Sequence, residues 1–369
     1  MVYLPGKQRY NYKNNTGEPE MFIRNAWYVA AWDHEVGRTD LLRRELLGDQ
    51  VVLYRELDGT TVALEDRCCH RHAPLSKGEL VENNIQCPYH GLEFDRTGQC
   101  VKVPGQSAIP PEARVRAYPT VERNHWIWIW MGDPALANPD DIEDFHWIDD
   151  PDYRARGEVL HLEGNYVLLV ENLLDLSHLT FIHRTTLGTS AVADTPMKTE
   201  REGDLVRVTR WVMDNTPPPF FQRAGGFAAD AHIDRWQIIT FTPPGFVRLD
   251  VGGAVAGSGA EKGDRSQGFT MRNLNAITPE TETTTHYFWA QAHDFRTDEP
   301  WLTDMLYENV HTAFMEDLDI IKAQQENILA RPDAPRVDIN HDGGGLQGRR
   351  VIERLVEEEQ RADGRQAAE

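Results

Sequence analysis

Two short segments in the first quarter of the chain each carry a cysteine followed closely by a histidine, in the patterns Cys68-x-His70 and Cys87-x-x-His90. Thiolate and imidazole are common ligands of transition metals. Because each segment offers one of each, two such loops can hold a two-iron cluster, with sulfur ligands on one iron and nitrogen ligands on the other. A structural zinc ion is the alternative, but zinc sites usually take both cysteines from one loop. The spacing therefore favours an iron–sulfur cluster.

All four cysteines of the chain lie between positions 68 and 100, and this clustering favours metal binding over a disulfide framework. The Cys-x-His alternation selects Cys68 and His70, while Cys69 remains an alternative ligand. Cys100 has no partner at ligand spacing, which predicts a packed thiol. Two cysteines with two histidines predict a Rieske [2Fe–2S] cluster, in which the histidine ligands raise the reduction potential.

A second group of polar residues follows the pattern Asn172-x-x-Asp175-x-x-His178, and His183 comes shortly after it. Residues three positions apart share one face of a helix, so the first three are predicted to lie together. On a regular helix His183 would point about 140° away from His178. If both bind one metal, the helix must end or bulge between them, and residues 180–182 are a suitable place because they are β-branched or aromatic. Two histidines and a carboxylate predict a mononuclear non-haem Fe(II) site with positions open for O2.

The third ligand is predicted on an amphipathic helix over residues 299–329. Its apolar stripe consists of Leu302, Leu306, Val310, Ala313, Phe314, Ile321 and Ile328. Asp317 falls inside this stripe, whereas Glu316 and Asp319 fall outside it. A carboxylate that points into a core must be paired or bind a metal, so Asp317 is assigned to the iron, with a capping or salt-bridging role as the alternative. Asp175 is not needed as an iron ligand, and it is predicted to hydrogen-bond a ligand imidazole and to bridge two metal centres.

The elements that position these residues fall into two parts. Residues 21–133 contain short strand-like runs broken by turns, which predict an N-terminal all-β domain around the cluster. Residues 134–356 combine longer strand-like runs with helices and predict a catalytic α+β domain. Residues 1–20 and 357–369 are predicted to be a polar arm and a flexible tail. The strand-like runs of the second part are 157–162, 205–212, 234–241, 246–251, 268–277 and 283–292, and its helices are 166–181 and 299–329.

The composition is ordinary for a globular protein, with 40% apolar and 26% charged residues among 369. A net charge of −21 repels nucleic-acid phosphates. The acidic surface either serves solubility alone or helps to select a basic redox partner. No apolar run is long enough to span a membrane, and the first residues lack the apolar core of a signal peptide, so the expectation is a cytoplasmic protein without membrane contacts.

With both metal motifs considered together, the chain resembles the oxygenase (alpha) component of the Rieske non-haem iron aromatic oxygenases. It is most similar to the vanillate O-demethylase and dicamba monooxygenase group, and the resemblance extends over nearly the whole chain. The segments that carry it are 22–30, 87–91, 172–178, 234–238, 241–244, 286–289, 316–317 and 343–350.

The resemblance implies a Rieske domain followed by a helix-grip catalytic domain, with a long C-terminal helix, in a ring-shaped homotrimer. It implies that Asp175 links His90 of one subunit to His178 of the next and passes an electron to the iron. Asn172, in the same motif, is predicted with Asp175 to serve catalysis. The resemblance also implies that electrons come from NADH through a separate reductase that carries flavin and its own iron–sulfur cluster.

The substrate that the resemblance implies is a small aromatic acid. Arg210 and Arg248 lie on strand-like runs where vanillate-type sequences have apolar or small residues. If their side chains face the substrate pocket of the catalytic domain, they would bind a carboxylate of the substrate. Strand alternation equally allows both side chains to lie on the solvated face of the sheet. Asn275 aligns roughly with a polar substrate contact of dicamba-type enzymes. O-demethylation of a methoxybenzoate is expected, and ring hydroxylation of a phthalate-like acid is the alternative.

Two other functional classes explain less of the sequence. A simple Rieske electron carrier needs only the first domain and would leave the second metal motif unexplained. A ligand-binding module of helix-grip type, stabilised by zinc, would use the same pocket without chemistry. Colour and iron content distinguish that module from an oxygenase.

Overall fold

The computed structural model describes residues 21–183 and 190–366, and the predicted arm over residues 1–20 lies outside this part. The described residues form two compact units. The first consists of Phe22–Asp144 with Thr278–Thr281, and the second contains the remaining described residues. The predicted domain boundary at 133/134 stays a prediction, and the chain leaves the first compact unit after Asp144.

The first unit is built from three small antiparallel sheets. Its strands are β1 (Trp27–Trp32), β2 (Leu42–Leu46), β3 (Asp49–Arg55), β4 (Thr61–Glu65), β5 (Glu79–Val81), β6 (Asn84–Gln86), β7 (Glu93–Phe94), β8 (Cys100–Lys102), β9 (Ala117–Tyr118), β10 (Thr120–Arg123) and β11 (Trp126–Trp130). They pair in the orders β1-β11-β10, β2-β3-β4-β9 and β5-β6-β7-β8. Every residue of β11 is buried, because this Trp-Ile-Trp-Ile-Trp strand is central in its sheet and covered on both faces. The predicted all-β domain is confirmed.

The second unit is built around one seven-stranded antiparallel sheet in the order β12-β18-β17-β16-β15-β14-β13. Its strands are β12 (Arg154–Leu162), β13 (Lys198–Glu202), β14 (Leu205–Asn215), β15 (Ile233–Thr242), β16 (Phe246–Val255), β17 (Gly268–Thr281) and β18 (Thr284–His293). Its helices are α1 (Tyr166–Leu174), α2 (Ser190–Asp194), α3 (Pro219–Gly225), α4 (Pro300–Ala330) and α5 (Gly343–Gln366). Short 3-10 helices occur in both units: Asp33–Glu35, Leu75–Lys77, Pro134–Leu136 and Pro139–Asp141 in the first, and His146–Ile148, Leu176–Thr180, Ala260–Lys262 and Asn340–Asp342 in the second.

Helix α4 packs its apolar stripe against the strands at one end of the sheet. Trp289 of β18 stacks on Tyr307 of α4, with ring centroids 5.3 Å apart, and meets Phe314 edge-on at 5.0 Å. The same stripe buries Asp317. The predicted helix over 299–329 is therefore present almost to the residue, and the α+β fold is confirmed. None of the helices in the described ranges is long and apolar enough to cross a membrane.

Helix α5 is the main departure from the predicted elements. It begins at Gly343 and runs to Gln366, so it continues into the segment predicted to be a flexible tail. Its first residues are three glycines, and because glycine has a low helix propensity the sequence does not predict that a helix begins there. Its later turns are stabilised by ion pairs at helical spacing, such as Arg354 with Glu358. Strand β13 and helices α2 and α3 were also not predicted, because each is short.

Candidate metal centres and the adjoining cavity

The two cysteine–histidine segments form loops of the same shape in the first unit. In each loop the cysteine carbonyl accepts a hydrogen bond from the amide four residues later. His72 donates to Cys68 at 2.9 Å, and Gly91 donates to Cys87 at 3.1 Å. Both donors have left-handed backbones, with φ of 58° and 70°. This tight turn, in which glycine is favoured, brings a thiol and an imidazole together in each loop.

The four predicted cluster ligands lie next to one another. The side chains of Cys68 and Cys87 are buried, and their thiols are hydrogen-bonding neighbours. The rings of His70 and His90 are exposed, with centroids 4.6 Å apart. Burial, with the neighbouring thiol of Cys87 adding to it, raises the pKa of the Cys68 thiol to about 12. Two adjacent thiols beside two adjacent imidazoles fit the ligand set of a [2Fe–2S] group of the Rieske type.

The other two cysteines have different surroundings. Cys69 is half-buried against the apolar core of the first unit, and burial raises the pKa of its thiol. Cys100 is buried in that core, and its thiol donates to the Lys102 carbonyl at 3.4 Å. All four cysteines are free of disulfides. Cys100 therefore has the surroundings of the packed thiol that the sequence predicts.

Three potential metal ligands converge in the second unit. Ligand atoms of His178, His183 and Asp317 all lie within 4.8 Å of one another. Asp317 Oδ1 is 3.5 Å from His178 Nε2 and 3.2 Å from His183 Nε2. Each Nδ1 faces an acceptor, the backbone carbonyl of Asp175 at 2.5 Å for His178 and the Glu316 carboxylate at 2.6 Å for His183. Each Nδ1 therefore carries the hydrogen and each Nε2 lone pair faces Asp317, which fits a two-histidine, one-carboxylate iron site.

The chain departs from regular helix twice around these ligands. Asp175 is extended, with φ −127° and ψ 94°, and a 3-10 helix covers Leu176–Thr180. The expected break between His178 and His183 is present at the end of this 3-10 helix. The additional break at Asp175 separates Asn172 from His178, so the single helical face predicted for the motif does not exist. The extended residue allows its own carbonyl to accept from the His178 ring.

Asn172 and Asp175 make different contacts within the motif. Asn172 Nδ2 donates to Asp317 Oδ1 at 3.2 Å, while its Oδ1 is buried without a hydrogen-bond partner among the described residues. The Asp175 carboxylate accepts from the Ser177 amide at 2.8 Å and so caps the 3-10 helix. The predicted electron-transfer role of Asp175 stays a prediction.

Burial and charge act in opposite directions on the two imidazoles. Burial is the largest cause that lowers the pKa of His178. Burial also acts to lower the pKa of His183, but hydrogen bonds and charges from Asp317 and Glu316 outweigh it and raise that pKa. A histidine binds metal in its neutral form. A proton therefore competes with a metal ion more strongly at His183 than at His178.

A cavity of about 700 Å³, part of it open to solvent, adjoins the three ligands, which lie in its wall. Its apolar wall residues are Leu173, Leu176, Leu179, Phe220, Phe221, Trp236, Leu249, Val251, Met271, Val310 and Phe314. Its other polar wall residues are Arg235, Gln237, Asn273 and Gln291. An apolar, aromatic wall with a few polar groups suits a single flat aromatic molecule.

Arg210 and Asn275, two of the predicted substrate contacts, lie behind the cavity wall rather than in it. Arg210 is 1% exposed and donates to Gln237 Oε1 at 3.1 Å and to Ser177 Oγ at 2.6 Å. Asn275 is fully buried and donates to Asn273 Oδ1 at 2.9 Å. Both side chains therefore hold wall residues in place.

Arg248 lies on the opposite face of the sheet. It alternates along β16 with Leu249, which lines the cavity, so its side chain points the other way. There it shares a second cavity with Arg207, Arg272 and Trp147. The prediction that Arg248 binds substrate in the iron-site cavity is thus corrected by strand alternation.

Sequence reasoning missed two residues of this site. Glu316 lies outside the apolar stripe of α4, yet its carboxylate holds His183. Its position directly before Asp317 was the available signal. Arg235 lies in the cavity wall, and its place in a strand of mostly buried residues was the signal that a charged side chain faced inwards.

Family models match both units. A Rieske [2Fe-2S] domain model matches residues 26–119. A model described as the vanillate O-demethylase oxygenase C-terminal domain matches residues 162–358. The second match contains both histidines and the aspartate of the three-ligand site.

Curated proteins and solved structures agree with these matches. The chain is 45% identical to the toluene-4-sulfonate monooxygenase system iron-sulfur subunit of Comamonas testosteroni, over 92% of this chain and 98% of that protein. It is 37% identical to a vanillate O-demethylase oxygenase subunit of Pseudomonas sp. strain HR199, over 93% and 97%. Its structure matches that of dicamba monooxygenase bound to dicamba with a TM-score of 0.83 at 35% identity, covering 92% of this chain and 98% of that one.

Proposed function

The chain belongs to the Rieske non-haem iron oxygenases, in the group of vanillate O-demethylase oxygenase subunits, and from this membership we propose that it oxidises a methyl group of an aromatic acid. The reaction proposed first is O-demethylation of a methoxybenzoate. Its cofactors are a Rieske [2Fe–2S] cluster and a mononuclear iron, and its electrons come from NADH through a separate reductase. Bound together, the two groups supply reductive activation of O2.

The roles of the site residues are part of the proposal. His178, His183 and Asp317 hold the iron, with Glu316 and the Asp175 carbonyl fixing the two rings. The cluster ligands are Cys68, His70, Cys87 and His90. The observation that carries the function is that the three-ligand set lies in the wall of a largely apolar cavity of about 700 Å³. Such a wall excludes water from the reacting methyl and stacks against the flat faces of an aromatic ring.

The overall reaction balances with one O2 and one NADH. One oxygen atom is inserted into a C–H bond of the methoxy group, and the other leaves as water with two electrons from NADH and two protons. The resulting hemiacetal breaks its bond between carbon and the aryl oxygen, which releases formaldehyde and a phenol.

A second candidate function is favoured by the 45% identity to a toluene-4-sulfonate monooxygenase subunit. The methyl of toluene-4-sulfonate is its one aliphatic carbon. Hydroxylation there would use the same placement of ring, acidic group and methyl, and it would yield a benzyl alcohol without formaldehyde.

The test is turnover of a substrate panel with NADH and a compatible ferredoxin-type reductase, followed by mass spectrometry and a formaldehyde assay. Formaldehyde together with the phenol supports O-demethylation. A benzyl alcohol from 4-toluenesulfonate supports the second candidate. A hydroxylated ring with its methyl intact would reject both and support ring hydroxylation instead.

The assembly is also a proposal. We propose a homotrimer in which the cluster of one subunit serves the iron of its neighbour through Asp175. The support is the similarity over nearly the full length of the chain to relatives of this group. Light scattering after size-exclusion chromatography should give three times the chain mass of 42.1 kDa, whereas a monomeric mass would reject the trimer.

A further inference from the structure

Arg235 is a buried positive charge in the wall of the iron-site cavity. It lies on β15, is 4% exposed, and its guanidinium carbon sits 4.3 Å from the centre of the Phe221 ring. Of the described residues that line the cavity, it is the only lysine or arginine. A guanidinium that borders a cavity can bind an anion there through charge-assisted hydrogen bonds.

The neighbouring strand leaves room for this arrangement. Arg235 pairs across the sheet with Gly253 of β16. A Cβ at Gly253 would come within 3.0 Å of the Phe221 ring. The missing side chain thus lets Phe221 pack beside the guanidinium, and a guanidinium packed on an aromatic ring has a fixed plane.

Amide side chains supply further polar groups near the charge. Gln237 lies two residues along β15 on the same face, and Asn273 and Gln291 come from β17 and β18. Asn273 Nδ2 donates to Gln291 Oε1 at 3.3 Å, and Gln237 is held by Arg210. Apart from the three proposed iron ligands, the polar groups that the described residues place in the cavity wall therefore all come from the sheet, where they lie among apolar residues such as Val251 and Met271. Helix α3 contributes only apolar residues to the wall.

We propose that Arg235 binds the acidic group of the substrate, a carboxylate or sulfonate on an aromatic ring, and thereby sets which end of the ring faces the iron site. The inference rests on the proposed function and deepens it by naming the residue that selects aromatic acids. It assigns acid recognition to Arg235, the arginine that lines the cavity among the described residues, and not to Arg210 or Arg248, which the sequence left as candidates.

Burial lowers the pKa of Arg235 to about 10. The guanidinium therefore remains protonated at neutral pH, so the charge needed for anion binding is present. A planar guanidinium can donate two parallel hydrogen bonds to a carboxylate or sulfonate. A neutral amide of the same shape accepts hydrogen bonds from the guanidinium more weakly, because it carries no charge.

The experiment compares acids with neutral isosteres by calorimetric titration of the holoenzyme. The pairs are 4-methoxybenzoate with 4-methoxybenzamide, and 4-toluenesulfonate with 4-toluenesulfonamide. The wild-type protein should bind at least one acid about tenfold or more tighter than its amide. Arg235→Gln should abolish this preference while keeping amide affinity and iron content, and Arg235→Lys should retain part of it.

Arg207→Gln is the matched control, because it removes one positive charge from the same sheet on the face away from the cavity. It should keep the full preference for acids. The two pairs distinguish a carboxylate from a sulfonate as the group bound.

The inference is overturned if wild-type protein binds acid and amide equally, a result that needs no variant to fold. It is also overturned if Arg235→Gln keeps the preference. Product analysis of the same compounds tests the proposed function separately. An acid preference that depends on Arg235 supports the anion site even if no methyl group is oxidised. Oxidation of the amides, with acids and amides bound at equal affinity, supports the oxygenase function without the anion site.

Discussion

At the scale of single residues, the orientation of the two proposed ligand imidazoles is set by the acceptors that their Nδ1 atoms contact. His183 Nδ1 donates to Glu316, and His178 Nδ1 donates to a backbone carbonyl. A backbone carbonyl cannot be removed by substitution, whereas Glu316 can. Of the two proposed histidine ligands, His183 is therefore the one whose ring orientation depends on a replaceable side chain.

Replacing Glu316 by alanine should lower iron affinity by about 10- to 100-fold, because the His183 ring loses the acceptor that fixes its orientation. Glu316→Gln should lie between wild type and alanine, since its amide oxygen still accepts. The measurement is iron content after dialysis against graded chelator, with the visible absorbance of the [2Fe–2S] cluster as an internal reference. Asp319→Ala, at an exposed position of the same helix, is the control, and equal iron retention in both alanine variants would count against this role.

Substitution can separate the helix-capping role of Asp175 from its proposed role in electron transfer. Its carboxylate caps the 3-10 helix through the Ser177 amide. Asp175→Ala should lower the free energy of unfolding by about 1 kcal/mol, whereas Asp175→Asn keeps an acceptor and should restore it. Both variants should lose NADH-driven turnover if the charge of the carboxylate is needed for electron transfer. Urea unfolding and coupled turnover measure the two effects, and full activity in Asp175→Asn would refute the electron-transfer role.

At the scale of elements, the sequence predicted the helices and strands whose hydrophobic pattern can be read within one segment of the chain. The stripe on α4 identified the helix to within a residue and placed Asp317 on its buried face. Alternation along β16 shows that residues 248 and 249 face opposite ways, but it cannot tell which face meets the cavity. That choice depends on which side α1 and α4 cover, which is a tertiary property. Glu316 was missed for a similar reason, since its partner His183 approaches the flank of α4 from a distant segment.

The glycines at the start of α5 let this helix approach α1, the helix that precedes the iron ligands. A Cβ at Gly344 would lie 2.5 Å from Val208 Cγ2 and 2.9 Å from the Leu174 carbonyl oxygen. Gly344→Ala should therefore lower the free energy of unfolding by about 1–3 kcal/mol through overpacking. A Cβ at Gly343 meets only Thr199, at 3.3 Å, so Gly343→Ala should be nearly neutral. Equal urea midpoints for the two variants would contradict this account.

At the scale of the whole molecule, the proposed trimer makes a prediction that no single subunit can satisfy. Co-expression of Cys87→Ser, which lacks the cluster, with Asp317→Ala, which lacks the iron, should give mixed trimers with activity. Random assembly should restore about one quarter of wild-type activity per chain, because a site needs an iron-competent subunit beside a cluster-competent neighbour. The two variants purified separately and assayed as a mixture are the control. Inactive mixed trimers would indicate that each subunit uses its own cluster.

The proposed iron site also joins distant parts of the chain, since His183 and Glu316, which are in contact there, are 133 positions apart in sequence. An ion held from both sides acts as a removable cross-link, which makes heat resistance a function of free metal concentration. Chelation should lower Tm by about 5–10 °C, the equivalent of losing a ligand held at a hundred times its Kd. Zinc, which has no redox chemistry, should restore Tm but not turnover. Calorimetry of the three forms tests this, and an unchanged Tm after chelation would show that the fold does not depend on the ion that its chemistry requires.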